Sequence, residues 1–237
     1  MATERAIRIS EIFGPTVQGE GRYLGRATVF VRTGGCDDRC AWCDTPHAVL
    51  PEHRHQWAAW APEAVLAEVE RLTDGAPILV SLSGGNPALQ PLSPLLAAGR
   101  DRGHRFALET QGTLAPAWLA ELEGLTLSPQ GPSSGCETDP ERVAACLAAA
   151  GPGPDTVLKV VVMDDADYDY AWRIAERFDH LPVYLQVGNA EPMGDPGPEA
   201  LLAGYRRLAA RVLADRWHEA TVLPQMHILA WGNRPGV

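Results

Sequence analysis

No stretch of this 237-residue chain stays apolar for the length of a membrane span, and the opening Met1-Ala2-Thr3-Glu4-Arg5 lacks the apolar core of a signal peptide. The expectation is a soluble, cytoplasmic protein with no membrane partner. Positive charge is in short supply: 20 Lys and Arg stand against 30 Asp and Glu, a net charge of -10. A phosphate backbone calls for the opposite balance, which argues against a nucleic-acid partner. No composition break or charged linker divides the chain, and 237 residues suit one α/β domain over 1–237. Cysteine is limited to five residues, an odd number, with three crowded into eight positions where mutual disulfides are awkward. That usage fits a reducing compartment. Cys136 and Cys146 stand apart; they could pair, but ordinary small residues of core or surface are the preferred reading.

What is present is an alternation of short apolar runs and amphipathic stretches from residue 27 onward, the mark of a wound parallel sheet. Strands are expected at Ala27–Arg32, Ile78–Ser83, Arg105–Glu109, Leu125–Leu127, Val157–Val162, Val183–Val187 and Thr221–Leu223. Helices are expected at Pro62–Leu72, where Val65, Leu66, Val69 and Leu72 share a face behind a first-turn proline, and at Asp139–Ala150, Ala166–Arg177 and Pro198–Asp215. Polar residues and glycines follow most strands: Gly84-Gly85-Asn86-Pro87, Thr110-Gln111-Gly112, Ser128-Pro129-Gln130, Gly188-Asn189 and Gln225-Met226-His227. Any one such turn is unremarkable. Collected at the carboxyl ends of parallel strands, they face one site.

The first strand runs into Cys36, Cys40 and Cys43, spaced three and then two residues apart, and no fourth cysteine follows at matching spacing. Three thiolates on one loop can hold three irons of a 4Fe–4S cube and leave the fourth iron open to a small molecule. Structural zinc prefers four closed ligands, usually as two pairs. Zinc borrowing His47 in a non-enzymatic binding module is the alternative.

With Trp42, Asp44 and Thr45 around the last cysteine, this loop resembles that of the radical S-adenosylmethionine (SAM) enzymes. Cys43-Asp44-Thr45, Gln18-Gly19-Glu20-Gly21 upstream and Arg32 at the strand end resemble, within that superfamily, the 7-carboxy-7-deazaguanine synthase family. The likeness is strongest over 10–46 and thinner afterwards. It implies a partial (incomplete) parallel β/α barrel of the radical SAM type, with an N-terminal substrate loop and a C-terminal closing segment. In such enzymes the open iron chelates SAM, and reductive cleavage yields a 5′-deoxyadenosyl radical that takes hydrogen from a positioned C–H bond. The implied reaction abstracts hydrogen at C6 of 6-carboxy-5,6,7,8-tetrahydropterin, contracts the ring and expels ammonia, with SAM regenerated. A glycyl-radical activating enzyme is the second enzymatic reading, since it uses a similar loop.

The resemblance also distributes roles. Cys36, Cys40 and Cys43 hold the cluster and Thr45 a magnesium ion. Trp42, Asp44, Gly85, Asn86, Glu109, Ser128, Gln130 and Gln186 contact SAM, whereas Val17, Gln18, Gly19, Glu20, Arg32, Ser83 and His227 contact the pterin. Two positions depart from the family pattern: Asn86 replaces an acid that meets the SAM amino group, with Glu109 as the expected compensating carboxylate, and Gln130 replaces a lysine. Arg32 wants a carboxylate, either the substrate's or a protein acid such as Glu109. An electron donor such as flavodoxin or ferredoxin and a homodimer complete the implied partners.

Overall fold

In the computed structural model the described residues are 6–194, 197–234 and 236. The opening pentapeptide and the end of the expected closing segment, Pro235 and Val237, lie outside them. One nine-stranded sheet runs in the order β3-β1-β2-β4-β5-β6-β7-β8-β9. Its strands are β1 (Ile7–Val17), β2 (Ala27–Thr33), β3 (Ala58–Trp60), β4 (Leu79–Gly84), β5 (Arg105–Thr110), β6 (Gly124–Leu127), β7 (Asp155–Val162), β8 (Val183–Val187) and β9 (Ala220–Leu223). From β2 to β9 the paired neighbours are parallel, while β1 is antiparallel to both β2 and β3. The sheet keeps two edges. It is an incomplete barrel, as expected.

Helices α1 (Pro46–Val49), α2 (Pro62–Leu72), α3 (Ser93–Asp101), α4 (Pro140–Ala150), α5 (Asp165–Arg177), α6 (Gly197–Ala214) and α7 (Met226–Trp231) occupy the connections. Local chemistry fixes several of their ends. Asp139 caps α4 by accepting from the Glu141 amide at 2.9 Å, with Pro140 in the first turn, and Asp164 caps α5 through the Asp167 amide at 3.0 Å. Val65, Leu66 and Val69 of α2 are fully buried with Val29, Val31, Val80 and Leu82 of the strands in one apolar core. Period-3.6 faces thus cover period-2 strands, and polar strand ends are left free at one rim.

Two strands were not expected, β1 and β3. Gly14-Pro15 inside β1 reads as a turn, since proline removes a ladder donor. The register of β1 against β2 shifts between Phe13 and Thr16, and β3 covers only Ile7–Ile9, so the proline lies where no second neighbour needs its amide. Val17, assigned above to the substrate loop, is the last paired residue of β1, opposite Ala27. The loop proper begins at Gln18, whose amide bonds to the Arg26 carbonyl at 2.9 Å.

Candidate active site

The strand ends open on one cavity, and most of the expected site residues line it: Val17, Gln18, Gly19, Glu20, Arg32, Cys36, Cys40, Trp42, Cys43, Asp44, Thr45, Ser83, Gly85, Glu109, Ser128, Gln130 and His227. Register explains the gathering. Arg32 and Ser83 are level across β2 and β4, and Leu82 is level with Leu108 across β4 and β5, so the segments that follow emerge at one height.

Along the cavity wall the cysteine loop is held by its neighbours rather than by its own structure. Asp37 accepts from Asn86 Nδ2 at 2.8 Å, from Gln111 Nε2 at 2.8 Å and from Thr113 Oγ1 at 2.6 Å. The Asn86 amide donates to the Gly35 carbonyl at 2.8 Å. A Cβ on Gly85 would collide with the Gly35 carbonyl, so glycine there lets the β4 turn lie directly on the cysteine loop. Trp42 donates its indole N–H to Ser133 Oγ at 2.9 Å. All three thiols are free and half-buried. Burial pushes Cys36 up to about 11 and raises Cys40 and Cys43, with Asp37, Asp38 and Asp44 adding like charge. Thiols so placed suit a group that brings its own positive charge and displaces their protons. Three soft donors on one loop, with no fourth protein thiol in the motif, fit a 4Fe–4S cluster with one open iron. Thr45 precedes α1 without using its hydroxyl as a cap, leaving that oxygen at the cavity wall 3.8 Å from Cys43 Sγ.

The part of the cavity wall around Lys159 is built differently. Lys159, from the middle of β7, is 2 % exposed, and its Nζ lies 2.5 Å from both Glu20 Oε2 and Glu109 Oε1. Gln225 Nε2 donates to Glu20 Oε1 at 2.9 Å, and His227 Nδ1 stands 3.9 Å from the same oxygen. Burial alone would raise the Glu20 carboxyl; the Lys159 ammonium, His227 and these hydrogen bonds overcome it and hold Glu20 down at about 2. Glu109 shares the lysine but has Glu20 and Asp44 nearby, and burial leaves it above its ordinary value. Lys159 itself is raised, its two carboxylates outweighing its burial.

Four assignments change. Arg32 pairs with Glu11, Nε to Oε1 at 2.7 Å, and not with Glu109, because Glu11 on the unexpected β1 lies opposite it in the ladder. Asn86 is fully buried and off the cavity wall. Its Nδ2 donates to Asp37 and Thr113, and its Oδ1 accepts from the Ala88 amide and Thr110 Oγ1, so no lone pair is aimed at a ligand ammonium. Gln186 is likewise buried away from the cavity and donates to the Leu223 carbonyl at 3.2 Å. His47, the candidate zinc ligand, lies 3.1 Å from Glu11 Oε1. Gln130, in place of the family's lysine, accepts from Cys40 Sγ at 3.4 Å and donates to the Ser128 carbonyl. Cys136 and Cys146 are both free: Cys146 is buried against the Leu114 carbonyl, and Cys136 Sγ accepts the Arg39 amide beside the cysteine loop.

Sequence reasoning missed Lys159. A signal existed: it is the single lysine of the chain, set inside an otherwise apolar strand where a charge needs a partner. Asp37 carried no such mark, since its partners lie 49 to 76 residues away.

Comparison with known proteins agrees with this geometry. Residues 30–176 match the model of the radical SAM superfamily. A 7-carboxy-7-deazaguanine synthase of Bacillus cereus is 39% identical over 236 residues, covering 98% of this chain and 99% of its own. That of Bacillus subtilis is 37% identical over 241 residues with the same coverage, and that of Methanopyrus kandleri 31% identical over 249 residues, covering 94% and 93%. The crystal structure of QueE from Escherichia coli superposes with a TM-score of 0.68 at 23% identity, over 92% of this chain and 94% of that one, which supports the fold. Three thiols and a braced polar clamp in one cavity, on a chain matched end to end by these relatives, place it in the 7-carboxy-7-deazaguanine synthase family of radical SAM enzymes.

Proposed function

We propose that this chain is a carbon–nitrogen lyase that converts 6-carboxy-5,6,7,8-tetrahydropterin to 7-carboxy-7-deazaguanine with loss of ammonia. The observation that carries the reading is the division of one cavity between a three-thiol loop and a cluster of acceptors formed by Gln18, Glu20 and Gln225. When bound, a 4Fe–4S cluster with SAM supplies a carbon-centred radical able to take hydrogen from an unactivated C–H bond. The chain's own task is placement and exclusion of water.

Trp42 and Asp44, beside Cys43, line the SAM side with Gly85, Ser128 and Gln130. Gln18, Gly19 and Glu20 face the amino-pyrimidinone edge, whose N–H groups need acceptors. Arg32 binds Glu11 through Nε alone; its two terminal nitrogens have no other ion pair or hydrogen bond among the described residues and suit the substrate carboxylate. Thr45 would hold a magnesium ion through its one hydroxyl oxygen, which lies at the cavity wall and caps no helix. SAM acts as a regenerated cofactor, a flavodoxin or ferredoxin supplies the electron, and the protein works as a homodimer in the cytoplasm. Among the described residues no helix is long and apolar enough to cross a membrane.

The anaerobically reconstituted, reduced protein, given SAM and the carboxypterin, is expected to form the deazaguanine without stoichiometric loss of SAM. Uncoupled SAM cleavage with the carboxypterin left intact would refute the substrate assignment. Thr45→Ala should lower turnover and alter its magnesium dependence at unchanged iron content; an unaltered magnesium response rejects Thr45 as a ligand.

A further inference from the structure

Lys159 is the one lysine among 20 basic residues, and it sits where a lysine is least expected. Its neighbours in β7, Val157, Leu158 and Val160, are fully buried, and its own side chain is 2 % exposed. A buried ion pair adds little to folding compared with apolar residues of similar volume. A purely structural need at this position would be met as well by leucine or methionine facing apolar partners. Instead, two acids reach it from separate parts of the chain, Glu20 from the loop after β1 and Glu109 from the end of β5.

The arrangement leaves unused capacity, and all of it borders the cavity. An ammonium has three N–H donors, and the acids take two. Glu109 makes no hydrogen bond other than to Lys159 among the described residues, and its side chain remains 36% exposed within the cavity. Glu20 has one oxygen on Lys159 and one on Gln225, and each oxygen retains a second lone pair. With two carboxylates and one ammonium the group carries an excess of negative charge, and it suits a ligand edge rich in N–H donors rather than a carboxylate.

We propose that Lys159 is a positioning residue for the substrate: it clamps Glu20 and Glu109 into a paired acceptor surface that binds the N–H-bearing edge of the reduced pterin, with its third N–H directed to a ligand oxygen. This deepens the functional reading above, rests on it for the identity of the ligand, and moves Glu109, expected from the sequence as a SAM contact, to the substrate. Without the cation, two carboxylates would face one another across the cavity, and their repulsion would turn them away or protonate one of them. In either case an acceptor is lost to the pterin, while the thiol loop keeps its own ties to Asn86, Gln111 and Thr113.

The test uses the reconstituted, SAM-bound holoenzyme and measures carboxypterin affinity by anaerobic equilibrium dialysis, separately from turnover. Lys159→Met should weaken carboxypterin binding about 100-fold, the scale of losing a charge-assisted hydrogen-bond pair. Iron content and substrate-free reductive SAM cleavage should stay within about twofold of wild type. Lys159→Arg, which keeps a cation able to bridge two carboxylates, should lose less than about tenfold in binding. The proposal is overturned by unchanged binding in Lys159→Met, by parallel loss of iron or SAM cleavage in that variant, or by equal losses in the Met and Arg variants. A wild-type protein that binds the carboxypterin without converting it refutes the reaction and leaves the clamp standing. One that does not bind it refutes both.

Discussion

The cysteine loop and the Lys159 cluster, which line one cavity, hold their side chains by opposite means. Around the cysteine loop the chain is tied down, through Asp37 to Asn86, Gln111 and Thr113, while the thiols form no disulfide and burial raises Cys36 despite the Asp38 amide on its sulfur. In the clamp the side chains themselves are paired, with Lys159, Gln225 and His227 gathered on Glu20. The thiols draw on the positive charge of the group they bind, whereas the carboxylates are paired by the chain's own Lys159. Catalysis by placement needs a substrate held against a fixed origin, a task that paired side chains suit.

Substitutions that separate the two sharpen this contrast. Cys40→Ala should have the largest effect: loss of the brown absorption, of iron and sulfide, and of all turnover, measured after anaerobic reconstitution. Cys136→Ala, beside the same loop but outside the motif, should retain its iron, and loss of the cluster there would break the assignment of three ligands. Asn86→Asp comes next. Restoring the acid would set a carboxylate against Asp37 in place of an amide donor at 2.8 Å. The expected cost is about 3 kcal/mol of stability with no tightening of SAM; a tighter SAM complex would show that residue 86 reaches the cavity after all.

Acid titration addresses the clamp. Glu20 is held at about 2, below its ordinary 4.5. Its contribution is therefore complete above pH 4.5 and lost as pH falls from there toward 2. Urea midpoints across that window should fall by the equivalent of about 2 kcal/mol more in wild type than in Glu20→Gln. Identical acid profiles would mean that Lys159 does not hold Glu20. Gly19→Ala should be the mildest change. A Cβ there would collide with the His227 ring, which must move aside at a cost of about 1 kcal/mol. The expected signature is a raised KM for the carboxypterin with iron content unchanged.

Much of this molecule was legible in its residues because the signals were local. Pro62–Leu72 formed with the bounds its periodicity indicates, and Asp139 caps the helix it was expected to begin. The strands β2 and β4 to β9 lie within two residues of their apolar runs. β1 was hidden because Gly14-Pro15 breaks the local pattern, and its place in the sheet depends on which side lacks a neighbour. The alternative pairing of Arg32 with Glu109 fails for that reason, since its protein partner Glu11 sits on the hidden strand. Asn86 was misplaced for a related reason: an amide in an acid's position reads as a weaker ligand, while three of its four hydrogen bonds, to Asp37, Thr113 and Thr110, reach chain segments that no spacing rule connects.

By itself the sequence determined the chemistry available, because thiol spacing on one loop is a property of a few consecutive residues, and the helices, because their periodicity is local. Tertiary structure alone decided which charges meet in the cavity. The Lys159 ammonium lies 139 residues from Glu20 and finds it only where β7 and the loop after β1 close over the same cavity. An ion pair is a matter of distance in space, and in this chain the sheet sets that distance.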